Sequence, residues 1–137
     1  NINSLRDWGH ASEYVEMQWR MLQQNKPKDF VIATGKTTSV KEFIELSAIK
    51  LNWGGIIWEG EGINEIGRRK DNKKIVIRID SKFYRPAEVN NLLGNPSKAN
   101  LELGWQPKIS LKELVSEMID HDINLAKREL IIQKKNN

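Results

Sequence analysis

Apolar residues in this chain come in short bursts, and most bursts are closed by glycine, proline or asparagine. In residues 10–24, HASEYVEMQWRMLQQ, Ala11, Val15, Trp19 and Leu22 recur at the spacing of one helix face, with Tyr14 and Met21 flanking the stripe. Pro27 stops that pattern, because it cannot continue a helix. DFVIAT at 29–34 is a continuous apolar run with β-branched residues, which predicts a buried strand. GKTTS then reads as a turn. Ser39 with Glu42 forms a capping box, opening a helix over 40–51 that turns Val40, Phe43, Ile44, Ala48 and Leu51 inward. NWGG ends it. IIWEGEG predicts a strand, 63–74 a polar loop, and KIVIRID at 74–80 a second clear strand. Asn95, Pro96 and Gly104 bracket a short helix. Ser110 and Glu113 make another capping box, before a helix with Leu111, Leu114, Val115, Met118, Ile119 and Ile123 as its apolar positions.

This order of helices and strands predicts a small α/β domain over residues 1–130, built to pack against something else. The tail 131–137 is expected to be disordered, since IIQKKNN has no partner pattern. The opening NINSLRDWGH lacks methionine. It reads as the start of a fragment or processed product, the alternative being a complete domain freed from a tag.

Composition narrows the class without deciding it. The chain has 137 residues, 39% hydrophobic and 29% charged, values usual for a soluble globular domain. It has no cysteine, which excludes disulfide and thiolate chemistry and fits the reducing cytoplasm. No apolar run is long enough for a membrane span. A net charge of +4 suits phosphate in any form, nucleotide or nucleic acid. The cations concentrate as Arg68, Arg69, Lys70, Lys73, Lys74, Arg78, Lys82 and Arg85, opposed by Glu65, Asp71 and Asp80. Only Phe83 and Tyr84 lie near them, too few aromatics for a base-stacking surface, so nucleic acid is not expected as a partner. His10 and His121 are isolated, no metal-ligand spacing occurs, and GGIIWEGEG has the wrong glycine spacing for a dinucleotide loop.

The stretch YRPAEV differs from a solvated loop. Pro86 biases Arg85 toward extended geometry. A guanidinium fork suits two phosphate oxygens, and Glu88 suits a ribose diol. Arg6, in LRDWGH, could complete a clamp on a diphosphate from the other side; a local pair with Asp7 is the alternative.

LRDWGHASEYVEMQW, DFVIATGKTTSVKEF and YRPAEVNNLLGNPSKANLELGWQPKISLKELVSEMI together resemble the C-terminal part of the GDP-mannose 4,6-dehydratase family, within the extended short-chain dehydrogenase/reductase superfamily. The resemblance implies a two-part enzyme. A Rossmann domain with a glycine-rich loop and a Tyr-x-x-x-Lys pair binds NADP, and a smaller C-terminal part binds GDP-mannose. The whole enzyme oxidises the sugar at C4, eliminates water across C5 and C6, and returns the hydride to C6, giving GDP-4-dehydro-6-deoxy-D-mannose. This sequence contains no Tyr-x-x-x-Lys. The resemblance therefore implies a substrate-binding part with no catalytic residue, metal or cofactor of its own, inactive alone and weak in binding GDP-mannose or GDP. By motif, Arg6 and Arg85 would hold the diphosphate and Glu88 the ribose. Asn95 departs from the family's usual aspartate, at little cost to a helix cap. The alternatives are a substrate domain of another nucleotide-sugar epimerase or reductase, and a non-catalytic binding or interaction module. Without a covering Rossmann domain, self-association is expected, with Trp8, Trp53, Trp58 and Leu92 as candidates for the exposed face.

Overall fold

The computed structural model describes residues 1–85 and 88–135. Pro86, whose stiffening of Arg85 the sequence suggested, lies outside them, as do Asn136 and Asn137. The elements in chain order are β1 (Leu5–Asp7), α1 (Ala11–Leu22), β2 (Thr37–Ser39), α2 (Val40–Lys50), β3 (Ile56–Glu59), β4 (Ile66–Arg69), β5 (Ile75–Arg78), β6 (Asn91–Leu92), α3 (Ser97–Leu103) and α4 (Leu111–Lys135). Two three-stranded sheets result, ordered β2-β1-β6 and β3-β4-β5. In the first, β1 runs antiparallel to β2 and parallel to β6, so Arg6 sits opposite both Thr38 and Leu92. The second is an antiparallel meander with a register shift at Gly67/Arg68. The architecture is a mixed α/β fold of helices against two small sheets.

The helix punctuation reads through to the structure. Ser39 Oγ accepts from Glu42 N at 3.1 Å. Glu113 Oε2 accepts from Ser110 N and Ser110 Oγ at 2.8 and 2.6 Å. The Ser110 hydroxyl bond, joined by the backbone one, holds the Glu113 carboxyl below its ordinary range. Gly104 ends α3 in the left-handed region at φ 59°, a conformation that favours glycine.

Four expectations are corrected. On α1 the stripe of Val15, Trp19 and Leu22 faces outward, with 61%, 61% and 81% exposure, while Met17 is fully buried with Tyr14 and Met21 packed beside it. Both faces of this helix are apolar, so periodicity alone could not choose between them. The 29–34 run is not paired into either sheet. Among the described residues no strand is hydrogen-bonded to it, and β-propensity reports fit to a neighbouring strand more than an intrinsic backbone preference. Thr37–Ser39, expected to turn, instead pairs with β1. Ile66–Arg69, expected to be loop, is the central strand of the second sheet. Its charges are carried at the sheet face: Arg69 lies 4.4 Å over the Trp53 ring and binds Asp71, and Arg68 binds Glu59 at 3.0 Å.

The last helix also runs on to Lys135, past the boundary expected at 130. Residues 124–135 contain neither glycine nor proline, and most are good helix formers.

The main core joins α1 to α3 and the loop after it. Met17, Ala99 and Trp105 are buried together, ringed by Tyr14, Met21, Phe30, Ile32 and Leu103. Glu13 ties this loop down, accepting from Lys108 N and Ile109 N at 2.5 and 3.1 Å. Of the tryptophans proposed for an exposed face, Trp8 packs on Phe43 at 4.7 Å and donates to Thr38 O. Trp58 donates to Glu45 Oε1 at 2.7 Å beneath Lys41. Both, like Trp53, are half-buried by these contacts; only Leu92, at 51%, is exposed as expected.

Candidate functional site around Arg85 and Glu88

The turn after β5 and the approach to β6 bring Arg85 and Glu88 to one end of the first sheet. There they line a cavity of about 360 Å³ together with Asn1, Ile2, Asn3, Gly62, Glu65, Ile79, Tyr84 and Asn90. These residues come from the chain start, the β3–β4 connection and the segment before β6. The site is therefore assembled across the sequence and cannot be read from one motif. Its chemistry is largely polar: one guanidinium, two carboxylates and several amides.

Each carboxylate is neutralised from behind. Arg6 Nη2 donates to Glu88 Oε1 at 2.6 Å, and Arg6 Nη1 donates to the carbonyls of Leu5 and Val89, both at 2.8 Å. Lys41 Nζ donates to Glu65 Oε1 at 2.9 Å. Arg6 is thus committed to Glu88 and its neighbouring backbone rather than poised opposite Arg85. Nor does it pair with Asp7. Asp7 instead accepts from Thr34 N, Thr34 Oγ1 and Gly35 N at 2.8, 2.6 and 2.9 Å, fixing the turn before β2. The three residues named from sequence do come together, but Arg6 reaches the site through Glu88.

Glu65 is the residue that sequence reasoning missed. In the sequence it stands only as a counter-charge to the basic stretch. No local pattern marks it, because its partner Lys41 is far away in sequence and its burial, to 8% exposure, follows from the β3–β4 pairing. His10 has a structural task, accepting from Ser12 N at the start of α1. Among the described residues no group of histidines and carboxylates could hold a metal ion, and no helix is long and apolar enough to cross a membrane.

Residues 1–118, the whole of this cavity included, match the family described as GDP-mannose 4,6 dehydratase. The chain belongs to that family. It is 51% identical over 129 residues to GDP-mannose 4,6 dehydratase 2 of Caenorhabditis elegans, covering 94% of this chain and 33% of the relative. It is 54% identical over 127 residues to the GDP-mannose 4,6 dehydratase of Dictyostelium discoideum, covering 93% and 35%. The chain therefore spans about a third of the length of the curated relatives it matches. The fold is similar to that of RMD from Pseudomonas aeruginosa, solved with NADPH, at a TM-score of 0.63 and 17% identity, covering 88% of this chain and 33% of that one. About two thirds of each of these proteins therefore lies outside the match.

Proposed function

We propose that this chain is the part of a GDP-mannose 4,6-dehydratase that holds GDP-mannose, and that its cavity receives the nucleotide. The carrying observation is the gathering of Arg85 and Glu88 in one polar cavity within the family-matched segment. Lys41 and Arg6 offset the two carboxylates, so the cavity can accept a diphosphate on Arg85. Glu88 keeps acceptor capacity for a ribose diol beyond the bond to Arg6, since an ionised carboxylate offers about four lone-pair sites. Arg6 acts as the residue that holds Glu88 in place.

Hydride transfer belongs to NADP in the longer enzyme. Gly54, Gly55, Gly60 and Gly62 frame β3 and the turn into β4, and the helical turn that Gly62 begins spans three residues only. We place the protein in the cytoplasm, which suits a cysteine-free chain.

The test is a chimaera in which this chain replaces the matching third of the Caenorhabditis elegans relative. Formation of the 4-keto sugar from GDP-mannose is expected in the chimaera and not with the chain alone. A correctly folded chimaera with no turnover and no affinity for GDP would overturn the assignment.

Self-association of the isolated chain is a second expectation, carried by the outward stripe of Val15, Trp19 and Leu22 in place of the tryptophans named from sequence. Sedimentation velocity should show mass rising with concentration, and Trp19→Lys should shift the chain toward monomer. A monomer at every concentration would refute it.

A further inference from the structure

A second cavity, of about 250 Å³, shares no lining residue with the one around Arg85 and Glu88. Trp8, Pro107, Ile109 and Leu111 form its apolar part. Lys36 and Lys108 supply its charge, and no carboxylate lines it. Among the described residues neither lysine makes an ion pair, whereas Lys28, Lys41 and Lys50 each reach a carboxylate. An unpaired surface lysine is ordinary. Two of them, brought from distant segments to one apolar cavity, are not explained by solvation alone.

The walls are held from behind. Asp7 accepts from Thr34 N, Thr34 Oγ1 and Gly35 N, and Thr34 Oγ1 accepts in turn from Lys36 N at 3.2 Å, so the turn that carries Lys36 is fixed. Glu13, itself 8% exposed, accepts from Lys108 N and Ile109 N and fixes the loop that carries Lys108. Trp8 is fixed twice, by the Phe43 ring beside it and by Thr38 O, which accepts from its Nε1. Asp7 and Glu13 are thus committed to backbone amides outside the lining. Glu113, bound to Ser110, offsets the positive end of α4, so the lysines carry the attraction for an anion.

The lining sets the chemistry of the occupant. Ammonium groups only donate hydrogen bonds, which calls for an anionic acceptor. The Trp8 N–H is already engaged, so its ring offers apolar surface and calls for an apolar body. About 250 Å³ lies just under the roughly 300–1,000 Å³ of pockets for drug-sized ligands, so that body is a single ring or a short branched chain.

We propose that this cavity is a binding site for a small organic anion, an apolar ring or short chain bearing one phosphate or carboxylate. Lys36 and Lys108 hold the charged group, and Trp8 packs on the body. The proposal does not rest on the nucleotide reading of the other cavity. Both lysines are exposed and screened by salt, so binding is expected in the millimolar range and should weaken as salt is raised.

The test uses the full 137-residue chain, with phenyl phosphate, benzoate, benzyl alcohol and inorganic phosphate as probes. Chemical shifts of the Trp8 indole N–H and the Ile109 and Leu111 amides report binding. Phenyl phosphate or benzoate should shift them saturably, at least about fivefold more tightly than benzyl alcohol, which lacks the charge, or inorganic phosphate, which lacks the ring. Tighter binding of phenyl phosphate identifies phosphate as the anionic group, and tighter binding of benzoate identifies carboxylate. Lys36→Met and Lys108→Met should each weaken the better anion at least about threefold and leave benzyl alcohol unchanged. Lys108→Arg, which keeps the charge, should restore binding, and Lys112→Met, exposed on α4 outside the lining, should have no effect. Since the replaced lysines are exposed, well-dispersed spectra are expected throughout. The proposal is overturned if neither aromatic anion shifts these resonances saturably, or if inorganic phosphate binds as tightly as phenyl phosphate, which would make this a basic surface only. It also falls if the folded methionine variants keep full affinity.

Discussion

Trp105→Ala is expected to destabilise the domain by about 3–5 kcal/mol, a large share of the roughly 5–15 kcal/mol that holds a folded domain together. Trp105 is 1% exposed and packs in one buried cluster with Met17 and Ala99. It also donates from Nε1 to Glu13 O at 3.1 Å and meets Tyr14 edge-on at 6.2 Å between ring centroids. Truncation therefore loses apolar burial, a hydrogen bond and an aromatic contact together. Urea denaturation should show the midpoint falling sharply, while Leu101→Ala, at a position 83% exposed, should stay within about 0.5 kcal/mol of the parent. A loss below about 1 kcal/mol at Trp105 would mean that this cluster is not the main core.

In the chimaera, Arg85→Ala is expected to weaken GDP binding roughly 10- to 150-fold, the equivalent of about 1.5–3 kcal/mol for a charge-assisted contact. Arg85→Lys should also bind more weakly, because lysine keeps the charge but loses the planar fork. Arg6→Ala should weaken binding by another route. With Arg6 gone, Glu88 loses a 2.6 Å partner, and the backbone at Val89 loses a donor. Arg6→Ala and Glu88→Ala should therefore be strongly non-additive, whereas two independent ligand contacts would add. Calorimetric titration of the singles and the double decides between these accounts. Unchanged affinity in both arginine variants would make them structural residues and remove the basis for the nucleotide site.

What the sequence could and could not disclose follows from the range of each interaction. Ser39 with Glu42, Ser110 with Glu113, and Gly104 act within one helix turn, so their elements were visible locally. β1 and β6 have three and two residues, too few for any alternation to register, and their parallel pairing joins distant segments. β4 was hidden because Arg68 and Arg69 look like loop residues until Glu59, Asp71 and Trp53 are found beside them. Arg85 and Glu88 were legible because they share one short motif and because the resemblance to a known family pointed at it. The role of Arg6 as a support for Glu88, and the presence of Glu65, depend on contacts across many residues that no local pattern records.

The unpaired run at 29–34 has a consequence for solution behaviour. Asp7 secures Thr34 and Gly35, and Lys98 Nζ donates to Asp29 O, yet among the described residues no backbone hydrogen bond engages Phe30 to Ala33. Those amides have no backbone partner among the described residues, so their protons should exchange with solvent faster than those of β4, which is bonded on both sides. Val31 is 51% exposed on the same run, which makes it a sticky, strand-ready edge with no proline or charge within it to discourage recruitment. During refolding at high concentration this short segment, more than the basic surface, is where one molecule would template the misassembly of the next.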